Sequence, residues 1–289
     1  MPVSRAHAAS RRARTGWTGI LGYHTAAILV AVLFAVPLVW MISASLRQPG
    51  LPPPRTIEWI PRPVVWENYS RLFDILPFGR YILNSAIVSL VAVPLTLLTA
   101  SWAGFGMSQL GARARSRLLV LSVGLLMVPV TALWLPRFVL LTRVGLVDNY
   151  AALIVPTLMG SSPLFILLFY WAFRRIPSEL FESARLEGAS ALFLWQHIAF
   201  PLAKSTVMAV GILTFLLYWN DFITPLLYLK SQENYTLAVG VQQLQQLDRT
   251  NWPLLMAACV LMTAPALLVF FVVQRFFLQE GRLTGIYGR

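Results

Sequence analysis

Charged side chains and a glycine are concentrated in one stretch between two apolar runs, FESARLEGASALFLWQHIAFPLAKS (Phe181–Ser205). Glu182 lies in the first part of this stretch, where acidic residues interact favourably with the N-terminal end of a helix. Gly188 suits the end of that helix, and Ser190 can cap a second short helix that ends before Pro201. The pattern predicts a helix, a glycine bend and a helix at a surface, where the segment can bind a partner protein or lie on lipid.

A second polar group interrupts an apolar run at Trp219, Asn220 and Asp221. A charged side chain at the centre of a bilayer costs about 2.5 to 3.5 kcal/mol, so Asp221 should face protein, water or a membrane surface. One interpretation is that Asn220 and Asp221 cap or bridge a broken helix. The other is that Trp219 and Asn220 line the path of a polar solute, through a ring face and an amide that donates and accepts hydrogen bonds.

Residues for hydrolysis or metal binding do not occur in the patterns that these functions require. A phosphate-binding loop is a glycine-rich turn that ends in Lys-Ser or Lys-Thr, and neither Lys204 nor Lys230 follows such a turn. His7, His24 and His197 do not have the spacing of a metal site. We therefore expect no catalytic residue, no metal ligand and no cofactor in this chain, and we predict that it is not an enzyme.

The elements that must position the polar groups follow from the composition of the chain. Of its 289 residues, 57% are hydrophobic and 12% are charged, which is too apolar for an ordinary soluble domain. A hydrocarbon core of about 30 Å requires roughly 20 apolar residues to be crossed as a helix. Six runs of this kind predict spans at residues 20–42, 82–107, 118–141, 151–173, 206–229 and 253–274. The predicted fold class is an all-α polytopic membrane protein.

The distribution of basic residues predicts which side of the membrane each connection occupies. Lysine and arginine near helix ends stay cytoplasmic, and fourteen of the 23 lie in the two end segments and in the second and fourth connections. This places residues 1–19, a basic tail, and residues 275–289, a second tail, in the cytoplasm, on either side of a membrane domain of residues 20–274. The stretch at 177–204 lies on the same side.

The net charge of +12 is consistent with a partner that is anionic. The most basic local run, SRRART, lies close to the first predicted span, where attraction to anionic lipid headgroups accounts for it. We therefore expect membrane lipid as a partner and no nucleic acid.

The stretch at Phe181–Ser205 resembles the signature cytoplasmic loop of permease subunits in bacterial ATP-binding-cassette (ABC) importers. The loop pattern of that family is Glu-Ala-Ala, three residues, Gly, nine residues, Ile, and then Leu-Pro after one further residue. The matching residues here, at the same spacing, are Glu182, Ser183, Ala184, Gly188, Ile198 and Pro201. The departures are conservative: Ser183 replaces alanine, Glu187 stands where many relatives have aspartate, and Phe200 replaces leucine.

Two further stretches resemble the carbohydrate-uptake branch of that family. YWNDFITPLLYL (Tyr218–Leu229) and YTLAVGVQQL (Tyr235–Leu244) are similar to the second permease of maltose-type and multiple-sugar systems. Together with the ending QRFFLQEGRLTGIYG, the resemblance extends over nearly the whole chain after residues 1–19.

The resemblance implies a fold, a function and a set of partners. The fold would be that of a type I ABC importer transmembrane domain, with six transmembrane helices and a coupling helix-turn-helix between the fourth and fifth spans. We name residues 177–204 the coupling segment. The chain would translocate a carbohydrate in the bacterial inner membrane, with both termini cytoplasmic, and ATP and Mg²⁺ would bind to a separate ATPase. The expected partners are a homologous second permease subunit, two ATPase subunits and an external solute-binding protein.

Within the coupling segment, the resemblance also implies individual roles. Glu182 would meet the surface of the ATPase, Ala184 would permit its close approach, and Gly188 would set the bend. A side chain at Gly188 should be tolerated poorly if its backbone is left-handed.

Other functions remain as alternatives at this point. The solute could be a polyol, a sugar phosphate or another polar molecule instead of a sugar. A secondary carrier would need ionisable residues deep in several spans, whereas Asp221 is almost the only one here. A membrane scaffold would need no polar path and would show no solute flux.

Overall fold

Helices form the regular structure in the part of the chain that the computed structural model describes. That part comprises residues 4–56 and 58–287, with side chains described from 19 to 56 and from 58 to 274. The helices are α1 (Ser4–Ser45), α2 (Glu67–Ile75), α3 (Phe78–Gln109), α4 (Ala112–Leu126), α5 (Val130–Arg143), α6 (Ala151–Ile154), α7 (Pro163–Arg174), α8 (Ser178–Leu186), α9 (Ala191–Leu202), α10 (Lys204–Trp219), α11 (Ile223–Tyr228), α12 (Leu237–Leu247) and α13 (Trp252–Tyr287). Short 3₁₀ turns occupy Val155–Met159 and Gln232–Asn234.

Four helical segments are long and apolar enough to cross a membrane. They are Gly19–Ser45, Phe78–Gln109, Ala151–Arg174 and Trp252–Gln274, and the number rises to as many as six if each of two bent helix pairs is one span. The prediction of an all-helical chain with several membrane spans is therefore confirmed for the described residues.

The third predicted span, residues 118–141, is not one continuous helix. The helix α4 ends at Leu126, α5 begins at Val130, and their axes meet at 92°. Pro129 precedes α5 and explains the bend, because proline has no N–H to donate and disfavours helical backbone in the residue before it.

The fourth predicted span, residues 151–173, also contains a break. Gly160 and Ser161 have left-handed backbones, with φ of 72° and 58°, between the 3₁₀ turn and α7. Ser162 then caps α7, since its hydroxyl accepts a hydrogen bond from the backbone N–H of Leu164 at 3.3 Å. Pro163 occupies the first turn, where a missing N–H costs nothing.

The first and last helices of the chain continue beyond the predicted spans. The first reaches back to Ser4, and the last continues to Tyr287, well past the predicted end of its span at residue 274. The described backbone of the two predicted tails is therefore helical.

The chain divides into two units, and the smaller one reaches to Arg71 and includes Asp248–Val260. It contains the proline-rich connection after α1, which is irregular, as expected for a surface loop. The amide of Asn68 fixes this connection by donating to the backbone oxygens of Ser45 and Arg47, each at 2.7 Å. Arg47 also forms an ion pair with Glu58 at 3.0 Å.

The larger unit comprises Leu72–Leu247 and continues from Leu261. Its centre is formed by α3, which packs against α7 and α10. The contact with α7 is close at Gly104, where an added β carbon would lie 2.7 Å from the β carbon of Phe169. Phe169 is fully buried and stacks on Phe173, so aromatic packing holds this side of the core.

Candidate functional site

The coupling segment has the predicted order of a helix, a bend and a second helix. The first helix, α8, begins after Pro177 and ends at Leu186, and Gly188 follows with a left-handed φ of 87°. The hydroxyl of Ser190 accepts a hydrogen bond from the backbone N–H of Phe193 at 3.2 Å and caps α9. The glycine bend and the serine cap are thus present as predicted.

The second helix does not end before Pro201, as the sequence had suggested. It continues to Leu202 because residues Leu194–Ala199 form a π turn, in which the N–H of Phe200 donates to the oxygen of Trp195. Pro201 then lies in the first turn of the next helical piece, where its missing N–H leaves no broken bond.

One face of the coupling segment is anchored in the larger unit. Phe181 and Leu194 are buried in the same apolar cluster, and the ring of Phe181 lies 6.1 Å from that of Phe105 on α3. Ala184 and Ile198 are half-buried against this cluster. Packing of this kind fixes the position of both short helices on the ends of the longer ones.

The other face of the coupling segment is open. Glu182, Ser183, Glu187, Gly188 and Pro201 are all exposed. Leu186 is exposed to 90%, and Leu192 and Phe193 also expose much of their apolar surface. An exposed face that combines acidic residues with large apolar ones is typical of a surface that binds another protein or lies on a membrane.

The second predicted group lies at a break in the chain between α10 and α11. The Asn220 amide donates to the oxygen of Leu216 at 3.0 Å, which satisfies a carbonyl at the end of α10. The Asp221 carboxylate accepts from the backbone N–H of Thr224 at 3.1 Å, at the start of α11. Asn220 therefore satisfies a backbone group at the end of α10, and Asp221 satisfies one at the start of α11.

Trp219 has a different environment from its two neighbours. It is only 2% exposed, it stacks on Phe215, and its indole N–H donates to the oxygen of Met262 on α13 at 2.8 Å. Asn220 is exposed and Asp221 is half-buried. Of the three predicted residues, Asn220 thus has the most accessible polar group in this conformation, and Trp219 anchors α10 to α13.

The two groups of predicted residues are not brought together. They lie at opposite ends of α10, whose 16 residues extend for about 24 Å. The coupling segment and the break between α10 and α11 are therefore two separate sites on one helix.

A buried row of hydroxyl groups beside the break was not predicted. Ser161 contacts Thr96 on α3 at 2.5 Å and Tyr218 on α10 at 3.1 Å, oxygen to oxygen. Single hydroxyl residues within apolar runs give no distinctive pattern in a sequence. The local run Gly160, Ser161, Ser162, Pro163 was the one available signal of a break at this point.

Asp148 was also not predicted, although it makes the densest set of polar contacts in the described chain. It lies just before α6 and receives hydrogen bonds from residues that follow α11. Bonds from the Ser231 hydroxyl and from the backbone N–H groups of Lys230 and Ser231 hold the pKa of the Asp148 carboxyl well below its ordinary value.

Comparison with known proteins relates these features to a family. The family model described as the inner membrane component of binding-protein-dependent transport systems matches residues 92–280. The chain belongs to this family. Its members are the permease subunits of ABC importers, so the predicted family and the prediction of a transporter subunit instead of an enzyme are confirmed. As an inner membrane component with several apolar helices, this permease is a multi-pass membrane protein.

Individual relatives resemble the permease over most of its length. The lactose transport system permease protein LacG of Rhizobium radiobacter is 30% identical over 257 residues, which cover 87% of this chain and 90% of the relative. The arabinooligosaccharides transport system permease protein AraQ of Bacillus subtilis is 27% identical over 264 residues, which cover 90% and 93%.

Solved structures agree with the fold of the permease. A bacterial ABC transporter involved in the import of the acidic polysaccharide alginate superposes with a TM-score of 0.70 at 20% identity, over 89% of this chain and 96% of that one. A bacterial alginate ABC transporter in complex with an alginate pentasaccharide-bound periplasmic protein gives a TM-score of 0.64 at 13% identity, over 91% and 94%.

Proposed function

We propose that this permease translocates a carbohydrate that an external solute-binding protein delivers, with ATP hydrolysed by separate subunits. The observation that carries this proposal is the character of the relatives, which include permeases for lactose, arabinooligosaccharides and sulfoquinovosyl glycerol. Each of these solutes contains a sugar. The expected complex has a homologous second permease and two ATPase subunits, which would bind the ATP and Mg²⁺.

A second solute class is supported by a different relative. The sn-glycerol-3-phosphate transport system permease protein UgpE of Yersinia pestis is 27% identical over 266 residues. A polyol or sugar phosphate is therefore the alternative cargo for the same mechanism.

Six crossings of the membrane are part of this proposal. The helices α4 and α5 would cross together as one bent span, and α10 with α11 would form the fifth, because α10 alone is shorter than a hydrocarbon core of about 30 Å. The helix α9, which meets α10 at 83°, would then lie along the cytoplasmic surface. Both termini and the coupling segment would be cytoplasmic.

In this arrangement the coupling segment is the contact with an ATPase subunit. Glu182, Glu187 and the exposed Leu186 would meet the ATPase surface, while Ala184 and Ile198 carry its movement into the core against which they pack. The segment is continuous with α7 on one side and α10 on the other, so a displacement of the segment acts on both helices.

The break after α10 is our proposed site on the solute path. Asn220 offers an amide to the hydroxyl groups of a sugar, and Asp221 lies within electrostatic range of Arg137 on α5. Trp219 would support this site from behind, through its bond to Met262. Discontinuous helices near the middle of the membrane are a common location for solute sites in transporters.

Co-purification tests this function most directly. The chain, carrying a small affinity tag, is solubilised from its native membrane and everything that is retained is identified by mass spectrometry. We expect an ATPase, a second permease and a solute-binding protein, whose bound ligand can then be identified. Recovery of the chain without an ATPase, under conditions that keep other ABC importers intact, would refute the proposal.

A further inference from the structure

Asp148 joins two connections that are distant in sequence. Its backbone N–H donates to the oxygen of Tyr228 at 2.7 Å. Its carboxylate accepts from the backbone N–H groups of Lys230 and Ser231, each at 3.0 Å, and from the Ser231 hydroxyl. The amide of Asn234 donates both to the Asp148 carboxylate and to its backbone oxygen, each at 3.1 Å. We call these six hydrogen bonds the Asp148 clamp.

The backbone at Asp148 is held in an unusual conformation. Its φ of 64° is left-handed, a region that residues other than glycine, asparagine and aspartate seldom adopt. This conformation turns both the carboxylate and the backbone groups toward the residues after α11. Most of the hydrogen-bonding groups of Asp148 thus bind one short stretch of the chain, at and just after the end of α11.

The apolar packing next to the clamp involves the same two parts of the chain. Tyr228 and Leu229, at the end of α11, are buried in one cluster with Ala152 and Leu153 of α6. Apolar contacts of this kind are not directional and permit sliding, whereas several hydrogen bonds on one carboxylate fix both distance and orientation. The clamp is therefore the feature that determines the register of the two connections.

The Asp148 clamp and the coupling segment lie at opposite ends of the same two segments of the chain. The segment from α6 to α7 and the segment from α10 to α11 are joined covalently at one end by the coupling segment. At the other end of the same two segments, across the 24 residues of Ala151–Arg174, Asp148 joins them by hydrogen bonds. The two spans are thus connected at both ends.

We infer that Asp148 is a positioning residue that makes the fourth and fifth spans move as one body, so that displacement of the coupling segment reaches the opposite membrane face. This inference rests on the proposed function. Each span has a break in its interior, at Gly160 and at Asn220, where an unconstrained outer part could lag behind. Packed side chains, hydrogen-bond networks and rigid helices carry energetic coupling between distant sites, and the clamp adds such a connection at the outer end of the two spans.

Two variants of Asp148 and one of Asn234 distinguish the role of the clamp from a contribution to stability alone. Asp148→Gly removes the four hydrogen bonds to the carboxylate but accepts the left-handed backbone. Asp148→Asn keeps the oxygen that accepts from Lys230, Ser231 and Asn234. Its NH2 group can donate to the Ser231 hydroxyl, and asparagine also tolerates that backbone, so it is the matched control. Asn234→Ala leaves Asp148 intact and removes two of the six bonds from the other side, which provides a milder break.

The experiment measures the number of ATP molecules hydrolysed per solute molecule imported, with the complete complex and its binding protein in proteoliposomes. We expect Asp148→Gly to hydrolyse ATP with a ratio at least about fivefold above the wild-type value, and Asp148→Asn to stay close to wild type. A role limited to folding would lower ATPase activity and uptake together and leave the ratio unchanged, so an unchanged ratio would overturn the inference.

Two other outcomes of this experiment each lead to a second measurement. If Asp148→Gly does not assemble, the same ratio is measured for Asn234→Ala, where a rise supports the inference and a wild-type ratio overturns it. If the wild-type complex imports no carbohydrate, the proposed cargo is wrong, and the ratio is measured with the ligand found on the co-purified binding protein.

Discussion

Gly188 connects the two helices of the coupling segment in a conformation that side chains rarely adopt. Its φ is 87°, and among the described residues no heavy atom other than those of its chain neighbours lies within 4 Å of the position that a β carbon would take. A substitution there would meet no steric obstacle, so its whole effect would come from backbone strain. For residues other than glycine, a left-handed backbone costs about 1 to 3 kcal/mol, and β-branched residues tolerate it least.

We therefore expect Gly188→Val to reach the membrane at normal abundance but to reduce solute uptake by roughly tenfold. Because of the backbone strain, only part of the variant population would form the bend that positions α8 and α9 correctly. Gly188→Asn is the control, since asparagine tolerates a left-handed backbone. Uptake is measured in cells and normalised to the amount of chain in the membrane. Normal uptake by the valine variant would contradict the coupling role.

At this scale, the sequence predicted residues with local signals and missed those with distant partners. Gly188 and Ser190 act on groups a few positions away, so their types and spacing were sufficient. Ser161 contacts Tyr218, 57 positions later, and Asp148 contacts Asn234, 86 positions later. Trp219 was a candidate for a solute path, and its burial against α13 depends on a helix that begins 33 positions after it. Such pairings depend on the fold.

At the scale of elements, the contact between α3 and α7 is closest at Gly104. An added β carbon would lie 2.9 Å from both the backbone oxygen of Ile166 and the backbone nitrogen of Tyr170. Backbone atoms within a helix cannot move aside as a flexible side chain can, so the two helices would have to separate. Small residues allow close helix approach of this kind within membranes.

The prediction is that Gly104→Ala destabilises the protein by about 1 to 3 kcal/mol, because the core at this contact has no space for a methyl group. Gly106→Ala, on roughly the opposite face of the same helix, is the control. Among the described residues, no heavy atom outside the adjacent backbone of α3 lies within 4 Å of its added β carbon. Alanine also favours helix there. Thermal unfolding of the two variants in the same detergent gives the comparison, and equal midpoints would argue against the close contact.

Helix extent was predicted well where hydropathy alone decides it. The runs at 82–107 and 253–274 correspond to α3 and α13, and the ends differ by four residues or fewer apart from the long extension of α13 beyond its apolar part. The bend between α4 and α5 and the break at Gly160 were not placed, because average hydropathy does not register backbone geometry. Proline and glycine at those two points were local signals, whereas the π turn that carries α9 past Pro201 had none.

At the scale of the whole molecule, the proposal depends on sidedness. The coupling segment must face the ATPase in the cytoplasm, and the connection that contains the Asp148 clamp must face the external binding protein. The distribution of lysine and arginine favours this orientation, with fourteen of 23 on the cytoplasmic side.

Single cysteines test the orientation. In a Cys259→Ala background, Gln196→Cys places a thiol on the exposed surface of α9, and Gln246→Cys places one on the exposed surface of α12. We expect a membrane-impermeant maleimide to label position 246 in intact spheroplasts, and position 196 only after the membrane is made permeable. The reverse pattern would place the coupling segment outside and exclude its contact with an ATPase.

The 92° bend between α4 and α5 has a consequence for the parity of membrane crossings. A chain changes sides each time it crosses, so every later connection depends on whether the bent pair crosses or turns back. If α4 and α5 cross as one span, the coupling segment lies on the same side as the connection that precedes α4. If they returned to the side of entry, the coupling segment and the Asp148 clamp would exchange sides. The few residues around Pro129 thus determine on which side of the membrane each connection in the second half of the chain lies.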